Sequence, residues 1–232
     1  DSLCVPGLTA FTTATGSYLG LLDGSGNIIQ SGAPLSFFTN KDTTVSVTEV
    51  VPDPTNSGHV GPLTSIAATG FGNFSNGQWI NVIDTIRIDS MTVRANGVVT
   101  AQLVINNAAN TAVLQRGAEF TTGAATADYQ VEVGVVLTPG VYFMNVSFLA
   151  GSGQLFRATS GASYPYTLPG LMSIDSTNFS SQARIYYTFD MVATQVCLGT
   201  PASVTAYIVG QPAGEDATVV LCDNGSAEDL ST

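Results

Sequence analysis

Ile86-Arg87-Ile88-Asp89-Ser90-Met91-Thr92-Val93-Arg94-Ala95 alternates apolar and polar residues, and it changes phase in the middle. Ile86 and Ile88 keep one parity; Met91, Val93 and Ala95 keep the other. A helix would repeat its apolar residues every three to four positions, whereas a period of two puts one row in a core and the other toward water. The segment therefore reads as a strand. Two explanations of the phase change stay open. A β-bulge near Asp89-Ser90 would restore the buried face, or the chain breaks there into two shorter strands.

The same period runs outward from this segment. Val99, Ala101, Leu103 and Ile105 alternate with polar residues, among them Thr100, Gln102 and Asn106. Further rows are Tyr129-Val131-Val133-Val135, Tyr142-Met144-Val146-Phe148 and Ile185-Tyr187-Phe189-Met191. Asn96-Gly97 reads as a hairpin turn between the first two rows, and Thr138-Pro139-Gly140 as the turn of another hairpin. No run repeats at helical spacing. Many strands separated by regular turn signals predict a sandwich or barrel.

Composition points the same way. Hydrophobic residues make up 44% of the 232, and charged residues only 10%. A chain so poor in charge keeps its surface wet with Ser, Thr, Asn and Gly, residues of strands and turns rather than of disordered charged segments. The net charge is −11, with Lys41 the sole lysine beside five scattered arginines. A phosphate-tracking surface needs clustered bases, so neither nucleic acid nor an anionic membrane is an expected partner. No stretch is long and apolar enough to form a spanning helix, so membrane insertion is not expected either. The chain opens on Asp1-Ser2 without a signal sequence, so either a signal was removed or this is an internal piece.

Val51-Pro52-Asp53-Pro54-Thr55-Asn56-Ser57-Gly58 reads as a stiff linker. It divides the chain into a module over 1–51, a linker over 52–57, a larger sandwich over 58–210, and the start of a further module over 211–232. Short strands are predicted in the first module at Tyr18–Leu22, Asn27–Gln30, Ser36–Thr39 and Val45–Val50. Leu3-Cys4-Val5-Pro6-Gly7 and Leu221-Cys222-Asp223-Asn224-Gly225 match at three positions in five, which reads as a repeat opening two modules.

Few residues carry chemistry. His59 is the only histidine, and it sits in the linker-like segment, where a surface role outweighs a catalytic one. No catalytic residue is expected. One histidine and three distant cysteines do not give zinc spacing. Asp23-Gly24-Ser25-Gly26-Asn27 spaces oxygen ligands as a calcium loop does, yet lacks the downstream bidentate Glu, and a hairpin turn explains it better. No cofactor is expected, with a structural calcium ion left open by the acidic balance. The cysteines Cys4, Cys197 and Cys222 leave three states open: all reduced, Cys197 bridged to Cys4, or Cys197 bridged to Cys222. Trp79, Tyr164 and Tyr166, with Tyr186 and Tyr187, offer flat faces for stacking on sugar rings; the competing reading packs them into the core and its rim. Arg157 is expected to pair with a carboxylate and pin the Tyr164-Pro165-Tyr166 loop.

Several of these segments resemble a family of modular secreted proteins from Bacteroidota. Cys4, the Leu21-Leu22-Asp23-Gly24-Ser25-Gly26 turn, Gly32 and Thr43-Thr44-Val45-Ser46-Val47-Thr48-Glu49 are similar to its Ig-like repeats. Ile88-Asp89-Ser90-Met91-Thr92-Val93, Leu137-Thr138-Pro139-Gly140-Val141-Tyr142, Leu155-Phe156-Arg157, Ser163-Tyr164-Pro165-Tyr166, Tyr186-Tyr187-Thr188-Phe189 and Cys197 are similar to the sandwich that follows such repeats. Where the family often places a Trp, this chain has Asp190-Met191. The resemblance implies a short Ig-like module followed by a jelly-roll-like antiparallel β-sandwich. It also implies export by the type IX route and a secreted or cell-surface destination. Asp followed by Ser or Thr resembles the O-glycan acceptor of this phylum and marks Ser2, Thr43, Thr85, Ser90 and Ser176. The expected function is a non-enzymatic structural or adhesive module of a gliding or adhesin-like protein. Its partners would be neighbouring modules, surface glycans or other surface proteins. The alternative is a carbohydrate-binding accessory module of a secreted hydrolase.

Overall fold

The computed structural model describes residues 2–3, 7–11, 18–26, 28–32, 35–39, 43–66, 69–208, 220–223 and 226–229. Among these the chain forms strands and no helix. It divides into two compact units, one over Asp1–Val51 with Leu198–Thr232, the other over Pro52–Cys197.

The first unit holds β1 (Ser2–Leu3), β2 (Gly7–Phe11), β3 (Tyr18–Leu22), β4 (Ile28–Gly32), β5 (Leu35–Thr39) and the first half of β6 (Thr43–Val60). The second unit holds the rest of β6, then β7 (Thr69–Phe71), β8 (Gly77–Val82), β9 (Ile86–Asn96), β10 (Val99–Asn107), β11 (Val113–Thr121) and β12 (Thr126–Leu137). It continues through β13 (Gly140–Gly151), β14 (Phe156–Ala158), β15 (Tyr166–Leu168), β16 (Met172–Thr177), β17 (Ile185–Tyr186) and β18 (Phe189–Leu198). The chain then returns to the first unit through β19 (Ala202–Ile208), β20 (Val220–Asp223) and β21 (Ser226–Asp229).

In the first unit, β3 pairs antiparallel with β4 and with β6, and its Leu19 and Leu21 pack with Val47. Asp23-Gly24-Ser25-Gly26 is the turn between β3 and β4. Gly26 N–H donates to Asp23 O (3.0 Å), and Ser25 N–H donates to the Asp23 carboxylate (2.8 Å). The segment forms the turn of the β3–β4 hairpin. β19 completes this sheet by pairing with β6 from Ala202↔Val47 to Ala206↔Thr43. Residues 198–208, expected in the larger sandwich, therefore belong with the smaller unit, because β6 leaves an edge there that β19 fills.

In the second unit two sheets pack face to face. One runs β6-β18-β9-β12; the other runs β11-β10-β13-β8, extended by β16 and β15. These are the strand orders of a jelly roll, with two strands added at one edge. The paired strands of this sandwich are antiparallel wherever their register is defined. Residues 52–57, expected as a linker, continue the strand β6, and nearly all of them are exposed. An edge strand tolerates Pro52 and Pro54, because one of its sides has no ladder to supply.

The phase change in β9 is a bulge within one continuous strand. Ile86, Ile88, Met91, Val93 and Ala95 are all fully buried, while Asp89 and Ser90 both face outward. The ladder with β18 slips there, and β12 answers with Val133 and Gly134 opposite the single residue Asp89. Gly134 has φ +67°, the left-handed conformation such bulges require. Asp89 staples the bulge: its carboxylate accepts from Arg87 Nε and from the Thr194 hydroxyl (2.6 Å).

Two turns expected as hairpins are instead crossings between the sheets. β9 and β10 lie in different sheets, as do β12 and β13. Asn96 N–H donates to Gln154 O (3.1 Å), and the Asn96 side-chain oxygen accepts from Gln154 N–H (2.8 Å), which ties the chain to the 153–155 stretch rather than back onto itself. A Cβ on Gly153 would lie 2.5 Å from the Gly97 carbonyl carbon, so only glycine fits that close approach. At the second crossing Tyr142 donates its phenol proton to Thr138 O (2.8 Å).

Candidate functional site

The two outer faces of the sandwich differ in chemistry. On the β6-β18-β9-β12 face three pairs of charged side chains meet: Arg94 with Asp128, Arg87 with Asp89, and His59 with Asp190. Arg94 reaches both carboxylate oxygens of Asp128 (2.6 and 3.0 Å), and Asp128 also accepts from the Thr64 hydroxyl (2.6 Å). The Arg94 hydrogen bond, with that from Thr64, holds the Asp128 carboxyl below the usual carboxylate range against the opposing effect of burial. His59 Nδ1 lies 2.8 Å from Asp190 Oδ1, with the imidazole mostly exposed.

The opposite face, on β11-β10-β13-β8-β16, carries amides. Alternation along β8, β10 and β13 sends Ile80, Leu103, Ile105, Met144 and Val146 to the core. It puts Trp79, Asn81, Gln102, Val104, Asn106, Phe143, Asn145 and Ser147 on the other side of the sheet, where Trp79, Asn81, Asn145 and Ser147 are partly exposed and Gln102, Val104, Asn106 and Phe143 are buried. The register sets Trp79 beside Phe143, Phe143 beside Asn106, Asn145 beside Val104, and Ser147 beside Gln102. Arg116 and Glu119 stand opposite Val104 and Gln102 at the β11 edge. Ser176 and Ser173 stand opposite Trp79 and Asn81 on the other side.

Trp79 organises this face. Its ring meets Phe143 edge-on at 5.2 Å, and its Nε1–H donates to Ala108 O (2.9 Å) in the β10–β11 loop. The indole thus lies across the sheet and buries Phe143 beneath it. Asn106 Nδ2 donates to Asn145 Oδ1 (3.0 Å), which leaves the Asn106 carbonyl and the Asn145 amide protons open. Asn81, Gln102 and Ser147 have no side-chain hydrogen bond among the described residues. The result is a flat indole flanked by neutral donors and acceptors.

Tyr164 and Tyr166 do not join Trp79. They meet each other edge-on (5.5 Å) and pack against the core, and the Tyr164 phenol donates to Arg184 O (2.8 Å). Burial raises the Tyr164 pKa above its ordinary value. Among the described residues Arg157 has no carboxylate partner. Its guanidinium stacks on the Phe74 ring (4.1 Å), and the Tyr164-Pro165-Tyr166 loop is pinned by the Tyr164 phenol instead.

Among the proposed acceptor hydroxyls, Thr85, Ser90 and Ser176 are partly exposed. Thr85 lies between β8 and β9, Ser90 at the bulge, and Ser176 beside Trp79. The side chains of Ser2 and Thr43 lie outside the described residues, as does Cys4. Cys197 is exposed and free, and Cys222 is placed only as part of the backbone of β20. The amides of the outer face were visible in the sequence only as the polar halves of alternating rows. Gln and Asn in place of Thr, Lys or Glu are the feature of those rows that the sequence offers. No family model matches the chain, and no curated protein matches it significantly.

Proposed function

We propose that this chain is a non-enzymatic adhesive module of a larger secreted or cell-surface protein, and that it holds a glycan on the outer face of the β11-β10-β13-β8-β16 sheet. The carrying observation is Trp79 lying across Phe143, with the side chains of Asn81, Asn106 and Asn145 around that pair. A sugar ring offers an apolar C–H face to stack and hydroxyls that both donate and accept. An indole with neutral amides matches both requirements, whereas a face of closed ion pairs matches neither. The same face would serve an accessory module of a secreted hydrolase, so the two readings differ in the parent protein rather than in the binding chemistry.

The test is a glycan array followed by calorimetry on the best ligand, using the chain and its Trp79→Ala and Asn145→Ala variants. Binding should weaken at least tenfold in Trp79→Ala, about 1.4 kcal/mol or more, and the bound glycan should be recovered uncut. Glycan binding that survives both substitutions would move the site off this face, and cleavage of the glycan would end the non-enzymatic reading.

A further inference from the structure

At one end of the sandwich, β17-β14-β7 form a small three-stranded sheet. Arg157 of β14 pairs with Tyr186 of β17 and with Gly70 of β7. Residues two apart share a strand face, so Arg184, just before β17, stands on the same face as Tyr186 and Arg157. The opposite face, with Phe156, Ala158 and Ile185, packs into its own apolar cluster.

The two guanidiniums on this face are held by rings and not by acids. Arg157 lies over Phe74 (4.1 Å) and near Tyr186 (5.8 Å), and Arg184 lies over Phe179 (3.9 Å). The Tyr186 ring is 6.2 Å from that of Phe179, so one aromatic row joins the two arginines. Arg157 Nε, Arg184 Nε and the hydroxyl of Tyr186, itself 1% exposed, are buried and have no hydrogen-bond partner among the described residues. Elsewhere in the unit Arg87 and Arg94 each hold an aspartate. With 17 acidic residues against six basic ones, acids are not scarce, yet among the described residues neither of these two arginines has one. Three unmet buried polar atoms around a paired positive charge fit an incoming carboxylate, which accepts from planar guanidinium donors and from a phenol at once.

The end of β16 brings this cluster next to the glycan face. Thr177 pairs with Gln78, and the Asn178 side chain accepts from Gly77 N–H (3.1 Å), which sets Phe179 beside the start of β8, two residues from Trp79. Phe74, 39% exposed, adds apolar surface beside Arg157 that suits the C–H face of a sugar ring.

We infer that the glycan this module holds carries a uronic acid, whose carboxylate sits between Arg157 and Arg184. The inference rests on the glycan-binding reading above and names its ligand class. The experiment compares an oligogalacturonate with the same oligosaccharide after carboxyl reduction, by calorimetry on the whole chain. The acidic form should bind at least tenfold tighter. Arg157→Gln and Arg184→Gln should abolish that preference, and Arg87→Gln, on β9 of the facing sheet, should keep it. Melting curves identify any variant that has lost its fold, and the wild-type comparison of the two sugars needs no variant. Equal binding of both sugars, dependent on Trp79, would overturn the uronate while leaving the glycan face standing. Binding of neither would overturn both. Binding of an acidic peptide in place of either sugar would overturn the uronate as well.

Discussion

Tyr187 sits in the left-handed region at φ +65° and is fully buried, an uncommon conformation for a bulky side chain. Such a residue costs of order 1–3 kcal/mol and persists only where its surroundings over-determine it. Here the phenol does so: it donates to Gly72 O (2.8 Å) and accepts from Phe74 N–H (2.6 Å), while its ring meets Phe148 edge-on. Tyr187→Phe strands both backbone groups and should destabilise the sandwich by about 1–3 kcal/mol, read as a drop of about 2–4 °C per kcal/mol in a thermal melt. Burial also raises the pKa of this phenol above its ordinary value of 10.0. A raised acid holds its proton longer in the folded state, so its contribution is complete below pH 10 and shrinks as pH rises beyond it. The Phe variant should lose stability less steeply above pH 10 than wild type, and parallel curves for the two proteins would refute the assignment.

The bulge in β9 shows what an element can and cannot reveal in advance. The parity change between Ile88 and Met91 was legible, because a buried face tolerates no slip without an inserted residue. The answering insertion on β12 was not, since nothing in Val133-Gly134 says which strand lies opposite. The two crossings were misread for the same reason. Asn96-Gly97 and Thr138-Pro139-Gly140 carry turn chemistry, but local chemistry fixes only a change of direction, not whether the next strand joins the same sheet or the facing one. The candidate site fell between these cases. Trp79 was legible as an aromatic with a polar edge. Its partners Asn106 and Asn145 come from other strands and meet only through register. Gly134 gives the bulge a direct test. A Cβ at φ +67° costs roughly 1–2 kcal/mol, so Gly134→Ala should lower the melting temperature by several degrees. The equivalent change at Gly24, in the exposed β3–β4 turn where a Cβ meets nothing within 4 Å, should cost less.

On the scale of the whole molecule, the division falls inside a strand. β6 runs unbroken from Thr43 to Val60, yet its first half belongs to one unit and its second half to the other. Sequence alone placed a linker over 52–57, because Pro52, Pro54 and the polar residues around them are poor strand formers. The structure keeps them extended at a sheet edge, where missing donors are cheapest. Their side chains are not idle there. Asn56 donates to the Gln195 side chain of β18 (2.7 Å), and Asp53 accepts from both the hydroxyl and the N–H of Thr55, which hold its carboxyl below the ordinary value. A linker and an edge strand predict different behaviour on truncation. If 52–57 were a linker, fragments 52–197 and 58–197 would melt together. As an edge strand beside β18, it should make the longer fragment the more stable, by about 1–2 kcal/mol from its hydrogen bonds and ladder. Asn56→Ala in the longer fragment should take back part of that difference, because it removes the donor to the Gln195 side chain. Coincident melts, with no effect of Asn56→Ala, would return residues 52–57 to the role of a tether and move the boundary of the sandwich to Gly58.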